Sequence, residues 1–400
     1  MTTKSNSFSC PFADLAEQYR HTLGSDIIPF WERHCLDREF GGYFNCLDRD
    51  GQPYDDEKHM WMQWRIVYMF SVLAMTDFGQ SRWIEYARHG YDFLTRNGKS
   101  PDGSYYFALN RAGVPTVAPY NIYSDCFAAM GSAALFHASG QAECKIEAAS
   151  AMDSYLRRMD NPKGKWNKAM PGQKKRLSLG YFMILANLGN VMKRHLQSDQ
   201  YEENTAHAIE TALNKFYHPE FGVLFENVGE DGVFDLNSST GRQLNPGHGL
   251  EALWFIMDYA RRAGRDDLAQ KAAAIVKSTL AFAWDRENGG IFYFMDALDR
   301  PNPELQWDMK LWWVHCEALI ACLMAYQITD DQEFLRWFMK VHDWTWQHFP
   351  DPEHGEWFAY LNRRGEPTSM LKGSKWKCFF HLPRMLLTGA NLLQELEPCR

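Results

Sequence analysis

Gly41-Gly42-Tyr43-Phe44 is the stretch on which the fold turns, because it recurs along the chain. Glycine followed by aromatic residues returns at Asp102–Phe107 (DGSYYF), Phe221–Asn227 (FGVLFEN), Gly289–Phe294 (GGIFYF) and His354–Tyr360 (HGEWFAY), with a weaker Gly164-Lys165-Trp166 between them. The glycines Gly42, Gly103, Gly164, Gly222, Gly290 and Gly355 stand 61, 61, 58, 68 and 65 residues apart. Two of the turns continue into a polar return, LDRDG at Leu47–Gly51 and LNRRG at Leu361–Gly365. Aromatic residues suit strands, and glycine beside Asp or Asn suits tight turns, so each unit reads as a short β-hairpin.

Between the turns the apolar spacing becomes helical. Twelve helices are predicted, at residues 12–34, 59–77, 80–97, 121–139, 141–159, 177–196, 201–217, 246–263, 265–284, 308–329, 331–349 and 377–397. A constant period of this length marks a repeat architecture. An open stack of helix pairs needs polar caps at its ends. Here the first and last units carry the same aromatic turn, and the last helix is rich in Phe and Leu. The expected fold is therefore all-α: a closed (α/α)6 barrel of twelve helices with short β-hairpins in the connecting loops. No linker interrupts the period, so residues 1–400 are expected to form one catalytic domain.

Composition narrows the function. Hydrophobic residues make up 46% and charged residues 23%, enough apolar material for a large core. The net charge is −8 and no basic cluster dominates, which argues against a nucleic-acid partner. No stretch approaches the ~20 apolar residues of a membrane span. The nine cysteines are odd in number and contain no C-x-x-C pair, which argues against a disulfide framework or a zinc ribbon. With no apolar signal core near the N-terminus, a cytoplasmic location is expected. The 15 Trp, 18 Tyr and 26 Phe are the unusual feature. Aromatic faces pack against the C–H faces of pyranose rings, so the excess suits a sugar site.

The even-numbered helices carry polar residues near their N-termini, where a closed barrel brings six helix ends together. They are Arg65 with Trp61 and Gln63 on the second, Asn187 on the sixth, His248 and Glu251 on the eighth, Lys310, Trp312, Trp313 and Glu317 on the tenth, and His381 and Arg384 on the twelfth. Any one of them alone reads most simply as a core or capping group; the joint pattern points to a site. His248 and Glu251 are three apart and share a helix face, so Glu251 can hold one imidazole nitrogen and leave the other as a base. His381 and Arg384 are spaced alike. Two histidines on opposite walls suit proton transfer from both faces of a carbon. Arg65 can stabilise an enediolate oxygen, and Glu317 and Asn187 can bind hydroxyls. Trp61, Trp312, Trp313 and Trp376 fall where a sugar would sit, with Gln63 and Lys310 as further polar contacts.

Other readings use the same residues. His248, His381 and Glu251 can be combined as a metal site, but no H-E-x-x-H motif is present. Asp125, Glu251 and Glu317 can supply a glycosidase carboxylate pair, which leaves the histidines without a role. Cys378, three residues before His381, is a nucleophile or a buried thiol. Gly164-Lys165-Trp166-Asn167-Lys168, with Lys163, Lys174, Lys175 and Arg176 nearby, is either a solvated loop or a phosphate-holding one; it is not a Walker A loop.

The chain resembles the N-acylglucosamine 2-epimerase family, also called renin-binding proteins. The resemblance is carried by GGYFNCLDRDGQPYDDEKHMWMQWR, IYSDCFAAM, FENV, NPGHGLEALWF, GGIFYFMDA, LQWDMKLWWVHCEAL, DPEHGEWFAYLNRRGEP and KGSKWKCFFHLPR, which span nearly the whole sequence. It implies the (α/α)6 barrel and interconversion of N-acetyl-D-glucosamine and N-acetyl-D-mannosamine. It implies that His248 and His381 are the acid/base pair, that Glu251 partners the first histidine, and that Arg65, Glu317 and Arg384 are further functional positions. It also implies a homodimer, no cofactor in the chemistry, and ATP as an unconsumed allosteric activator at Gly164, Lys165 and Lys168. The run Cys378-Phe379-Phe380 departs from the Gly-Cys-Phe that relatives often have, so no cysteine role carries over. The rival activities are a cellobiose 2-epimerase or a mannose-type aldose–ketose isomerase; the non-enzymatic rival is a partner-binding protein.

Overall fold

The computed structural model describes residues 10–170 and 172–397; Cys399 lies outside the described residues. The chain runs α1 (Phe12–Thr22), a π turn and α2 (Ile28–His34) as one continuous rod, then α3 (Met60–Ala74), α4 (Ser81–Asn97), α5 (Tyr123–Ser139), α6 (Ala142–Arg158), α7 (Leu179–Leu196), α8 (Glu202–Thr211), a short α9 (Ser239–Arg242), α10 (Pro246–Ala263), α11 (Asp266–Ala283), α12 (Trp312–Thr329), α13 (Gln332–His348) and α14 (His381–Glu395). Neighbouring α3, α5, α7, α10, α12 and α14 pack in sequence as the inner wall, and each has an outer helix against it. This is the (α/α)6 barrel expected from the repeat.

Burial separates the two layers. Every residue from Ser124 to Leu135 and from Trp312 to Ala325 is buried, as an inner helix with neighbours all round requires. The outer α4 buries a single stripe that includes Trp83, Ala87, Tyr91 and Leu94. Small residues let the inner helices approach closely: a side chain at Gly131 on α5 would lie 2.8 Å from the Trp64 carbonyl on α3.

The recurring turns fold as antiparallel pairs directly after the outer helices. Leu36 bridges Tyr43, Lys99 bridges Tyr105, Trp284 bridges Ile291, Pro350 bridges Trp357, and Tyr217 pairs with Leu224. Gly289 and Gly290 show why glycine is needed: φ is +74° and +71°, and a Cβ on Gly289 would come within 2.5 Å of the Trp344 ring. The weak match at Gly164 is a correction. Gly164–Trp166 forms one exposed 3-10 turn with no strand pairing, because no second aromatic strand follows it. Two helix starts also differ. Lys310–Leu311 is a strand paired with Tyr360–Leu361, so α12 begins at Trp312 rather than 308, and α14 begins at His381 rather than 377.

A buried ionic clip repeats around the ring. Asp37 accepts from Lys58 at 2.9 Å and from Arg111 at 3.0 Å. Asp285 accepts from Lys310 at 3.2 Å and from Arg363 at 2.8 Å. Asp351 accepts from Lys372 at 2.9 Å and from Arg49 at 2.8 Å. In each case the Asp follows an outer helix, the Lys precedes the next inner helix, and the Arg comes from the hairpin beyond it. Each lysine also lies over a phenylalanine ring: Phe93, Phe292 or Phe358. The third clip joins the last repeat to the first. Beside it the Lys372 and Gly373 N–H groups donate to the Leu47 carbonyl. The ring is therefore closed by the device that joins neighbouring units elsewhere.

Lys372 is fully buried at the side chain and Arg49 is about one-third exposed. Asp351→Ala strands a buried ammonium and is expected to cost ~3–5 kcal/mol. Arg49→Ala removes the wet partner and should cost far less, because solvent screens the exposed guanidinium. Denaturant unfolding of both variants checks the contrast; equal losses would show that the clip does not hold the ring.

Candidate active site

A cavity of ≈ 970 Å³ opens at the N-terminal ends of the inner helices. All six contribute to its wall: Arg65 from α3, Phe127 from α5, Asn187 from α7, His248 from α10, Trp313 from α12 and His381 from α14. Local sequence fixes the entry of α10. The Asn245 side chain accepts from the His248 N–H at 3.2 Å as the N-cap, and Pro246 follows in the first turn. Gly247 then lets Trp313 pack close, since a Cβ there would lie 2.5 Å from the indole. The Trp313 ring lies against both histidines, with centroids 5.4 Å from His248 and 5.7 Å from His381.

Each histidine is tied at Nδ1 by a carboxylate. His248 Nδ1 donates to Glu226 Oε2 at 2.9 Å, and His381 Nδ1 donates to Glu317 Oε1 at 2.7 Å. That tautomer puts the lone pair on Nε2. The two environments differ. Burial opposes charge on His248, but Glu226 and then Glu251 outweigh it and raise the imidazole above its ordinary value. Burial lowers His381 well below that value, and Arg65, Arg384 and His248 add to the effect against Glu251. The two imidazoles are therefore shifted in opposite directions, one toward its protonated form and the other toward its neutral form.

Two arginines complete the floor. Arg384 bridges Glu251 and Glu317, each at 2.7 Å. Glu317 also accepts from Trp254 Nε1 at 2.7 Å, so both of its oxygens are occupied. Arg65 makes no ion pair among the described residues. Its guanidinium is held between Phe127, Phe380 and Trp61 at 4.0, 4.7 and 4.8 Å, and its Nε has no acceptor. Trp61 Nε1, Trp312 Nε1 and Arg384 Nε are likewise buried donors without acceptors. An arginine in the cavity wall without an ion-pair partner suits an oxygen-rich ligand, above all one that develops an oxyanion.

Several sequence expectations change. Glu251 does not hold His248; it pairs with Arg384, while Glu226 reaches the histidine from the preceding hairpin. Glu317 orients His381 and neutralises Arg384 rather than facing a hydroxyl. Gln63 is fully buried and bonds Tyr43 and Asn45 behind the wall. Lys310 is consumed by the Asp285 clip. Asp125 is likewise removed from the site, accepting from the Tyr105 N–H and pairing with Arg158. Cys378 is buried, which pushes its thiol up to about 12, so it is no nucleophile. Trp376 lies at the mouth against Trp61 rather than beside the histidines.

The metal reading also changes. Donor atoms of Glu251, Glu317 and His381 lie within 4.8 Å of one another, without His248, but the Arg384 guanidinium already bonds both carboxylates. The Gly164–Lys168 turn lines no part of the cavity; Lys165, Trp166 and Lys168 are exposed, with Lys165 Nζ over the Trp166 ring at 5.1 Å. Glu226 is the histidine partner that sequence reasoning missed. It lies in a hairpin, where no helical spacing links it to His248; its signals are the charge directly after the aromatic FGVLF strand and its place in the FENV stretch.

Comparison with known proteins follows the same outline. The family model described as N-acylglucosamine 2-epimerase (GlcNAc 2-epimerase) matches residues 42–384. The chain is 38% identical to the N-acylglucosamine 2-epimerase of Bos taurus, covering 92% of this chain and 89% of that one. It is 36% identical to that of Homo sapiens, covering 92% and 88%. In fold it is similar to a crystal structure of D-mannose isomerase, with a TM-score of 0.84 at 17% identity, covering 98% and 100%.

Glu226→Gln removes the charge that raises His248. Its imidazole titration, followed by NMR, is expected to move down in the variant while His381 stays low; an unmoved His248 would contradict the pairing.

Proposed function

The chain belongs to the N-acylglucosamine 2-epimerase family, and from that premise we propose that it interconverts N-acetyl-D-glucosamine and N-acetyl-D-mannosamine. The observation that carries the chemistry is the pair of carboxylate-tied histidines, unlike in charge preference, in one cavity. The sugar binds and opens to its C1 aldehyde, which acidifies the C2 proton. Neutral His381 takes that proton on Nε2. Charge moves onto the C1 oxygen, where Arg65 is the cation without a carboxylate partner. His248 returns a proton from its Nε2 to the opposite face, which inverts C2. The reverse reaction exchanges the two roles. An acetamido group at C2 blocks collapse to a simple ketose, so this substrate leads to epimerisation rather than isomerisation. Proton transfer of this kind needs no redox cofactor.

The reading extends to three further features, of which the resemblance implies the homodimer and the activation by ATP. One is a homodimer. A second is a cytoplasmic setting, in keeping with eight buried cysteines carried as free thiols among the described residues. The third is activation by ATP. The turn bearing Gly164, Lys165 and Lys168 offers charge and an indole face but no buried donor cradle, so no step is routed through a nucleotide.

Turnover in heavy water is expected to place deuterium at C2 of the product, and complete retention of the original hydrogen would defeat the scheme. His248→Ala and His381→Ala should each lower epimerisation by roughly 10²–10⁴-fold. Unimpaired turnover in a folded variant would point to different bases.

The active pair holds one proton, so kcat/KM should be bell-shaped in pH. With His381 lowered and His248 raised, the acid limb is expected below the ordinary imidazole value and the alkaline limb above it. Glu226→Gln should draw the alkaline limb toward lower pH; a profile with one limb only would contradict the coupled pair.

A further inference from the structure

Glu226 and His248 lie on different elements, and one strand, Gln243–Leu244, connects to both. The Glu226 N–H donates to the Gln243 carbonyl at 3.1 Å, and the Glu226 carbonyl accepts from the Leu179 N–H at 3.0 Å. At its other end the strand runs directly into Asn245, the cap of α10 that accepts from the His248 N–H. A slip of this strand therefore moves Glu226 against His248. The strand pairs only with Met295–Asp296, and so short a two-stranded ladder is not stable by itself. Its anchor is a buried ion pair. Arg242, directly before the strand, donates from Nε to Asp296 Oδ2 at 2.9 Å and to Oδ1 at 3.1 Å, and from Nη1 to the Leu236 carbonyl at 3.1 Å. Asp296 also accepts from the Leu298 N–H at 2.9 Å, and the Arg242 carbonyl accepts from the Ala297 N–H at 2.9 Å. The two side chains are 7% and 3% exposed, and neither lines the cavity. A buried ion pair adds little net stability over apolar groups of the same size, so stability alone does not account for it.

We propose that Arg242 and Asp296 are positioning residues for proton transfer at His248, an inference that rests on the epimerase reading: together they lock the strand that holds the carboxylate of the Glu226–His248 pair at one end and leads into the histidine's helix at the other. The groups that bear on the His248 charge are Glu226 from the hairpin, Glu251 on its own helix and His381 from α14. Arg242 and Asp296 are neutral as a unit, so their loss acts through the place of Glu226 rather than through charge. With Glu226 displaced, His248 loses the neighbour that raises it and releases its proton at lower pH.

The test is the double variant Arg242→Met/Asp296→Asn, which removes both charges and keeps an oxygen for the Leu298 N–H. Its readouts are NMR titration of the His248 imidazole and the pH profile of kcat/KM. The His248 titration and the alkaline limb are expected to move down together by about one pH unit, with the acid limb in place. A merely structural loss would lower the unfolding midpoint and scale kcat/KM alike at every pH. In a Glu226→Gln background the same double substitution is expected to move His248 no further, because changes that act through one bond do not add. If the double variant fails to fold, Arg242→Lys, which keeps the cation and gives up the donation to Leu236, takes its place, with a smaller shift in the same direction. An unmoved His248 in the folded variant overturns the proposal, and so does an equal shift with and without the Glu226 carboxylate. If the wild-type chain exchanges no C2 hydrogen, the epimerase reading fails, while the imidazole titration still decides whether the pair positions Glu226.

Discussion

The cluster of Asp351, Lys372 and Arg49 is the constraint on which the rest depends, because it joins the two ends of the chain into a ring. Asp37 and Asp285 anchor equivalent clusters between consecutive units. Burying a lysine is costly unless a carboxylate meets it, and these ammonium groups meet one together with an aromatic face. The backbone pairing of Lys372 and Gly373 with Leu47 sits beside the closing cluster and matches the Lys58–Leu109 and Lys310–Leu361 pairs elsewhere. Closure brings the start of α14 beside α3, where the Phe380 ring lies under the Arg65 guanidinium and meets Tyr68 edge to face. It thereby places His381, near the end of the sequence, in the cavity that Arg65 enters from its beginning.

Within that ring the proposed chemistry rests on unequal surroundings for two equal side chains. His248 is nearer solvent and faces Glu226, whereas His381 is buried beside a carboxylate that Arg384 already neutralises. The same bond from Nδ1 to a carboxylate therefore gives opposite charge preferences. Arg384 also neutralises the two carboxylates that lie close to one histidine, since its guanidinium bonds both. Arg65 has no such partner, which leaves its charge available to a developing oxyanion.

Much of this was legible in the sequence. Six spaced glycines were enough for the barrel, since a period of that kind admits few architectures. His248, His381, Arg65, Arg384 and Asn187 all line the cavity, because inner helices begin at one end of a closed ring. What failed was pairing across elements. Helical spacing suggested Glu251 for His248, but the side chain of a hairpin residue, Glu226, reaches it first. Gln63 and Lys310 look like pocket residues in a one-dimensional reading, because a buried polar group and a ligand-facing one share the same sequence signature. Their partners, Tyr43 and Asp285, lie 20 and 25 residues away along the chain. The Gly164 turn shows the opposite error, where the repeat's period alone suggested a hairpin.

The most direct measurement follows the C2 proton of each epimer separately in heavy water, in His248→Ala and His381→Ala. Two bases on opposite faces predict that each variant still exchanges the C2 proton of one epimer and not the other, with the preferred epimer reversed between the variants. Loss of exchange with the same epimer in both, or exchange of both epimers by either variant, would contradict a division of labour between the two histidines.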